Sequence, residues 1–228
     1  MIKKYTAWKK SRKFGDVYGG RERLKFEDNI FARAHSLERP PPGQILPILL
    51  EENPSRDFFF PISAEEAQEA LKELPKRDYE GITHIWLRRL NKADYYKGEY
   101  PLGTFVCGSG ARIITLYPWP NDMIMRYGKK KPSNTTINEA EKFGATVKRT
   151  SKGWQSKWTM KGVRKFYINA ILYHEVGHHI DWYYRNWSAA NRRQVEDYAD
   201  QYAIQKTATA TYVFNRLEKL GRKEEAVI

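Results

Sequence analysis

Cysteine is almost absent from this sequence, and long hydrophobic runs are missing. Cys107 is the single cysteine among 228 residues, which excludes an internal disulfide framework and favours an intracellular location. The basic N-terminal stretch lacks the apolar segment of a signal peptide, and no run is long enough to span a bilayer. We therefore expect a soluble cytoplasmic protein with no membrane span.

Acidic residues are the second shortage. The chain has 27 aspartates and glutamates against 40 lysines and arginines, which gives a formal net charge of +13. An excess of this size attracts polyanions such as nucleic acid, although it also serves solubility. The sequence contains no helix-turn-helix, zinc-finger or RNA-binding signature. Nucleic acid is therefore a partner that the charge allows and no motif supports.

The remaining composition is that of a folded protein. Hydrophobic residues make up 41% of the chain and aromatic residues 14%, enough for burial to offset the ordering of the backbone. Three consecutive prolines within residues 39–47 favour an extended connector. We expect a basic N-terminal extension with this Pro-rich connector over residues 1–62, followed by one main domain over residues 63–228.

Hydrophobic periodicity predicts that strands come before most of the helices. Ser63 and Glu66 have the spacing of a capping box, which predicts a helix that begins at this point. Strands are predicted over residues 81–90 and 104–120, a hairpin over 144–160 that turns at 151–153, and helices over 138–143, 161–186, 189–209 and 211–221. This order of elements predicts an α+β fold.

The segment HEVGH, residues 174–178, has the most specific chemical pattern in the chain. His174 and His178 lie one helical turn apart, so their imidazoles can bind one zinc ion. Glu175, next to the first histidine, can reach a zinc-activated water without binding the metal itself. The spacing therefore predicts the site of a zinc hydrolase.

A third ligand is needed, because catalytic zinc typically has three protein ligands. The extended pattern HExxHxxGxxH requires glycine and histidine where this chain has Asp181 and Tyr184, so that pattern is excluded. A glutamate from a following antiparallel helix is the other option. Residues 194–203, QVEDYADQYA, provide Glu196, with Asp200 one turn further along the same face.

HEVGH followed by EDYAD, residues 196–200, resembles the HExxH...ExxxD pattern of the gluzincins, zinc metallopeptidases of the zincin-like superfamily. The second helix is also similar to that of minimal gluzincins and ImmA/IrrE-type peptidases. The resemblance is strong over residues 165–208 and extends weakly back to residue 63. It implies a zincin-like α+β fold, in which a small mixed or antiparallel sheet packs on an HExxH helix and a following glutamate-bearing helix.

The resemblance also implies a role for each matching residue. It implies zinc ligation by His174, His178 and Glu196, general-base catalysis by Glu175, and orientation of His174 by Asp200. The implied activity is that of a zinc metalloendopeptidase, which hydrolyses peptide bonds in proteins or peptides through a zinc-activated water. The oxyanion donor stays open among four residues, which are Tyr198, Tyr202, Tyr212 and His179.

Two further expectations concern what approaches the metal. In the family, an edge strand before the active-site helix binds extended substrate by strand addition. Residues 111–118 are the first choice for this strand, and residues 155–160 are the second. Gly177 lies between two predicted ligands and would let the following helix or a substrate backbone come close.

Two other classes of function remain open. One is a nucleic-acid-associated regulatory protein with a zincin-like domain, and the other is a non-catalytic zinc-binding module that interacts with a partner. A structural zinc site is closed by four protein ligands, whereas this sequence offers three. The peptidase is therefore the leading hypothesis, with zinc as the expected cofactor, although the ligand set also suits other divalent ions.

Overall fold

The computed structural model describes residue 30 and residues 37–90, 95, 101–108, 110–184 and 192–225, to which all structural statements refer. Most of the predicted N-terminal extension lies outside these residues. The predicted connector, residues 39–47, lies within them and contains no helix or strand. In the part of the chain that is described, no helix is long and apolar enough to cross a membrane.

Short strands form three sheets. They are β1 (Ile48–Glu51), β2 (Phe58–Phe59), β3 (His84–Leu87), β4 (Gly103–Gly108), β5 (Ala111–Leu116), β6 (Trp119–Pro120), β7 (Ile124–Gly128), β8 (Thr146–Thr150) and β9 (Gly153–Lys157). The largest sheet has the order β1–β3–β5–β4, with β1, β3 and β5 parallel and β4 antiparallel at the edge. Its inner strands β3 and β5 are almost entirely buried, as expected for apolar strands covered on both faces.

The pairing of β1 and β2 corrects the predicted domain boundary. β1 lies in parallel register with β3, and β2 pairs with β6. Residues 48–59 therefore belong to the main folded unit, and the boundary predicted after residue 62 is wrong. The signal in the sequence is weak because β1 and β2 are short and directly follow a proline-rich stretch.

Some helices lie between the strands in the sequence, and the others follow the last strand. They are α1 (Ala64–Lys72), α2 (Lys76–Tyr79), α3 (Asn134–Lys142), α4 (Met160–Phe166), α5 (Tyr173–Tyr184), α6 (Arg192–Gln205) and α7 (Thr207–Glu225). The predicted capping box is confirmed, since the Ser63 hydroxyl accepts from the Glu66 N–H while the Glu66 carboxylate accepts from the Ser63 N–H. The predicted hairpin is confirmed as β8 and β9, which turn at Ser151 and Lys152.

Several helices differ from their predicted extents, since the helices predicted over residues 189–209 and 211–221 are Arg192–Gln205 and Thr207–Glu225, and two other differences have an identifiable cause. α3 begins before residue 138, at Asn134, because the Ser133 hydroxyl caps it by accepting from the Thr136 N–H. The single helix predicted over residues 161–186 is instead three segments, since a π-helical segment, Tyr167–Leu172, separates α4 from α5. A π segment keeps the apolar run continuous, so hydrophobic periodicity does not reveal it.

The main core lies between the four-stranded sheet and the C-terminal helices. Ile85 of β3, Leu116 of β5, Leu71 of α1 and Phe214 of α7 are all essentially inaccessible to solvent. The π segment and α5 run through this core, so the HExxH helix is anchored by packing rather than by surface contacts. The fold is α+β, as predicted, although the segment from β1 through α1 to β3 forms one parallel crossover.

Candidate metal centre

Helix α5 presents both predicted histidine ligands on one face. Its opposite side is fixed in the core, where Tyr173 and Val176 are fully buried. The side chains of His174 and His178 keep 18% and 16% of their surface exposed. One helical turn separates the two residues, and their ring centroids lie 4.6 Å apart. The two imidazoles are therefore held side by side at the edge of the core.

Helix α6 packs against α5 at the glycine between these histidines. A Cβ atom at Gly177 would lie 2.6 Å from Cα of Ala199 and 3.1 Å from its Cβ, which is closer than side chains pack. The two small residues therefore let the helix backbones approach closely. This contact confirms the prediction that Gly177 admits the following helix, and it brings Glu196 and Asp200 to the histidines.

Glu196 reaches both histidines from α6. Its Oε2 atom lies 3.5 Å from Nε2 of His174 and 3.6 Å from Nε2 of His178. Zinc ligands at about 2.0–2.2 Å in a tetrahedron lie roughly 3.3–3.6 Å apart. The ligand atoms of all three residues lie within 4.8 Å of one another, and among the described residues no fourth His, Cys, Asp or Glu joins them. The group therefore fits a tetrahedral ion with one position left for another ligand.

Asp200 fixes the proton of His174 on the side away from Glu196. Nδ1 of His174 lies 2.9 Å from Oδ1 of Asp200, and because a carboxylate can only accept, Nδ1 carries the proton. The Nε2 lone pair of His174 therefore faces Glu196. Burial, and then repulsion between the two imidazoles when both are protonated, lower the pKa of His178 to about 4, although Asp200 opposes this shift. Imidazole nitrogens that converge on a carboxylate oxygen are a donor set that a divalent cation can bind.

Glu175 is buried beside this group without belonging to it. Only 6% of the residue is exposed, and its carboxylate accepts a hydrogen bond from the backbone N–H of Phe105 in β4. Burial, followed by the charge of Glu196, raises the pKa of Glu175 to about 8, while the Phe105 bond acts in the opposite direction. A bound dication would stabilise the carboxylate and lower this pKa.

Contacts between Glu175 and β4 require a glycine. A Cβ atom at Gly103 would lie 2.6 Å from Cγ2 of Ile171 and 2.9 Å from Oε1 of Glu175. The absent side chain at position 103 therefore leaves the space that the Glu175 carboxylate occupies. Sequence reasoning does not single out Gly103 or Phe105, because their contacts with Glu175 join segments that are distant in the chain.

His179 does not have the surroundings predicted for an oxyanion donor. It is 1% exposed, its Nε2 donates to the carbonyl of Glu80 at 3.0 Å, and its ring packs edge-on against Phe105. Burial lowers its pKa to about 4, so the imidazole is neutral. This residue ties α5 to the end of α2, which disfavours the oxyanion role predicted for it.

The three tyrosines considered for the same role have different surroundings. The Tyr202 hydroxyl is buried and donates to Oδ2 of Asp78 at 2.8 Å, with Nζ of Lys206 3.4 Å from the same oxygen. The only proton of the Tyr202 hydroxyl is therefore already donated, which disfavours its predicted oxyanion role. Tyr198 is half-buried against the main core, and Tyr212 is 57% exposed on α7. For these two residues the role stays a prediction.

Two further residues near the centre are not predicted from the sequence. Glu139 of α3 interacts electrostatically with the site. Burial and then the charge of Asp200 raise its pKa, while His174 opposes the shift. Asn169 in the π segment is 4% exposed and donates to the carbonyl of Ala203 at 2.7 Å. A single amide within the apolar run YINAIL is the only signal for Asn169, and nothing in the spacing indicates Glu139.

The predicted substrate strand is also corrected. Residues 111–118 contain β5, which pairs with β3 on one side and β4 on the other. The rival segment, residues 155–160, begins in β9, the central strand of the sheet β7–β9–β8. Neither strand is therefore free to accept another. The edge strand beside α5 is β4, whose Phe105 contacts Glu175 directly.

Comparison with known proteins identifies no relative. No protein-family model, no curated protein and no solved structure matches the chain. The likeness to gluzincins therefore rests on the motif residues and on the distances between them.

Proposed function

We propose that this protein is a zinc-dependent metallopeptidase of the gluzincin type with a zincin-like fold. The observation that carries the proposal is the convergence of His174, His178 and Glu196 on one point, with the buried carboxyl of Glu175 beside them. Zinc held by these three side chains would supply Lewis-acid activation of a water molecule and of a peptide carbonyl. The open fourth position favours a catalytic site over a structural one.

Glu175 is the proposed general base. A carboxyl that is buried, close to the ligand group and linked to β4 can accept a proton from the attacking water and return it to the leaving amine. The raised pKa belongs to the metal-free chain, and a bound dication would lower it, which favours the carboxylate form that a general base requires. Asp200 supports the same chemistry by keeping the proton of His174 on Nδ1, which leaves Nε2 available as a ligand.

The edge strand β4 is the proposed binding surface for an extended peptide substrate. Strand addition uses backbone hydrogen bonds and so accepts many side-chain sequences. Because Phe105 links β4 to the Glu175 carboxylate, a peptide paired along this edge would have its backbone beside the general base. Protein or peptide segments in extended conformation are therefore the proposed substrates.

The test compares wild type with Glu175→Gln in the digestion of an unfolded protein substrate. Glutamine keeps the shape of the side chain and removes its ability to accept a proton, so hydrolysis should fall by about 100-fold or more. Zinc content, measured by elemental analysis after dialysis, should stay near one ion per chain in both proteins. Glu196→Ala should lose zinc and activity together, because it removes a ligand.

Asp197→Asn is the matched control. Asp197 is the exposed neighbour of Glu196, its side chain is 62% exposed, and it lies 4.0 Å from Arg193. This variant loses one acidic charge from the same helix and should keep both zinc and hydrolysis. Equal hydrolysis by wild type and Glu175→Gln would contradict the peptidase. If neither protein hydrolyses the substrate although both retain zinc, the result would favour a non-catalytic zinc module.

A further inference from the structure

Basic residues are concentrated in one region outside the metal centre. Between Glu141 and Glu175 the sequence has eight lysines and arginines and no acidic residue. Four of these eight residues lie in the hairpin of β8 and β9, which pairs with β7 in an antiparallel sheet. Three further lysines, Lys129, Lys130 and Lys131, directly follow β7 and are all exposed.

The strand register assigns these side chains to the two faces of the sheet. Val147 and Met125 lie opposite the buried Ser156 and pack against the main core. Directly paired residues project from the same face, and the face alternates along each strand. The outer face therefore carries two rows, Lys148–Gln155–Arg126 and Thr146–Lys157–Ile124.

The positive charge on this sheet is poorly compensated. Arg126 is paired with Asp122 and also donates to the Tyr95 hydroxyl at 3.1 Å. By contrast, Lys148, Lys152 and Lys157 are exposed and form no ion pair with any residue that the structure describes. Unpaired surface cations of one sign create a local field that attracts anions.

A cavity with aromatic walls lies beside β7 and the turn between β8 and β9, and residues of both faces of this sheet line it. Its volume is about 540 Å³, within the usual range for small-molecule sites. The rings of Tyr95, Tyr127 and Trp154 line it together with the cations Arg126 and Lys152. Two of the rings are held in place, because the Tyr95 hydroxyl donates to the Ile124 carbonyl and the Tyr127 hydroxyl is bonded to Ser156. The cavity therefore offers fixed π surfaces next to positive charge.

We propose that the sheet β7–β9–β8 binds single-stranded nucleic acid, with phosphates along the lysines of its outer face and of the turn between β8 and β9, and a base in the aromatic cavity beside β7. Flat aromatic walls suit an unpaired base, which a duplex does not expose. An anionic membrane fits less well, since surface binding also needs exposed apolar side chains. The large exposed hydrophobic residues of the described chain do not lie on these three strands. This proposal does not depend on the metal centre.

The test measures fluorescence anisotropy of a labelled 15-nucleotide oligo-dT with the full chain between about 50 and 200 mM salt. The lysine variant combines Lys148→Gln, Lys152→Gln and Lys157→Gln. If each lysine contacts one phosphate, the slope of log K against log salt should decrease in magnitude by about 2, since each contact contributes roughly 0.7. Affinity at 100 mM salt should fall at least tenfold.

The control variant removes the same charge elsewhere. Lys72→Gln, Lys76→Gln and Lys219→Gln change exposed lysines on α1, α2 and α7, and should leave affinity within about threefold of wild type, because charges beyond about 10 Å are screened at this salt. Zinc content should be unchanged in both triple variants, which separates this surface from the metal centre. An equal loss of affinity in the control would overturn the proposal.

Trp154→Leu tests the aromatic cavity, with the exposed Tyr212→Leu as its control. Loss of a stacking ring should weaken oligo-dT binding roughly tenfold, while the tyrosine variant binds like wild type. A blunt duplex of the same length should bind more weakly than the single strand to the wild-type chain. Tighter binding to the duplex, or no binding of oligo-dT at 50 mM salt, would overturn the proposal even if Trp154→Leu failed to fold.

Discussion

The two helices that form the metal centre are held in very different ways. α5 lies in the core, and its histidines His174 and His178, the proposed ligands, are less than a fifth exposed. α6 lies at the surface, and the side chains of Glu196 and Asp200 are 50% and 66% exposed. The imidazoles are thus fixed by packing, whereas the carboxylates depend on how α6 is attached. Metal affinity should accordingly be sensitive to the contacts between the two helices.

Among the contacts that attach α6 to the other described residues, three are specific. Gly177 packs closely against Ala199, the Asn169 side chain donates to the carbonyl of Ala203, and the Tyr202 hydroxyl donates to Asp78. All three lie on the buried side of α6, opposite its solvent face. A helix held along one side can present carboxylates to a metal while its other side stays in water.

The largest effect should come from removing an enclosed ligand. His178→Ala should lower zinc affinity by more than about 100-fold, which exceeds the usual loss for partners outside the ligand set. It should also cost more than Glu196→Ala, because water can replace an exposed carboxylate more readily than a half-enclosed imidazole. Competition with a chelator of known affinity measures both values. If Glu196→Ala lowers zinc affinity as much as His178→Ala does, the solvent exposure of a ligand does not determine how much it contributes to zinc binding.

The next effect concerns the carboxylate that orients His174. Asp200→Ala should lower zinc affinity by about 10- to 100-fold, since the Nδ1 proton loses its acceptor and the ring loses its fixed orientation. Asp197→Ala is the control, because it removes an equally exposed aspartate that does not touch a histidine. Equal affinities for the two variants would mean that Asp200 acts only through its charge.

A smaller effect should follow from separating the helices. Gly177→Ala places a methyl group 2.6 Å from a backbone atom of Ala199, so α6 must move outward. We expect a loss of about 1–3 kcal/mol in the free energy of unfolding, the usual cost of overpacking, and weaker zinc binding. Gln201→Ala on the exposed side of α6 should change neither. Unaltered zinc affinity in Gly177→Ala would show that α6 can shift without moving Glu196.

The sequence predicts the metal centre better than the surroundings that support it. HEVGH and EDYAD contain the four side chains that the structure brings together, because helical spacing determines which side chains share a face within each helix. Other residues near the same site come from segments that are distant in the chain, namely Gly103, Phe105 and Glu139. No local sequence pattern predicts such long-range contacts. His179 illustrates the converse, because its neighbour His178 faces the site while His179 is buried against α2 and β4.

The fold shows the same division between local and distant information. The capping box at Ser63 and the hairpin turning at Ser151 and Lys152 are local features, and both predictions are confirmed. The pairing of β1 with β3 is not local, and four residues after a proline-rich stretch give too weak a pattern to predict it. Sequence order also makes residues 111–118 the expected edge strand, although β4 occupies that position.

The smallest predicted effect is a pH dependence of the metal-free protein that originates on α5. The pKa of Glu175 rises from 4.5 to about 8 on folding, so between these values the folded chain keeps a proton that the unfolded chain has lost. The free energy of unfolding should therefore decrease as pH rises from about 6.5 to 8.5, by at most about 1.4 kcal/mol per pH unit. His178 and His179, with pKa values near 4, lose their contributions only below about pH 6.5.

Urea unfolding of wild type and Glu175→Gln in the presence of a chelator measures this slope. Glutamine fills the same space and does not titrate, so the decrease between pH 6.5 and 8.5 should disappear in the variant. Asp197→Asn on the exposed side of α6 should keep the wild-type slope, because its carboxylate is largely solvated. If wild type and Glu175→Gln show equal slopes, Glu175 is already ionised in the metal-free fold. Burial on α5 would then not raise the pKa of Glu175, the residue on which the proposed chemistry depends most.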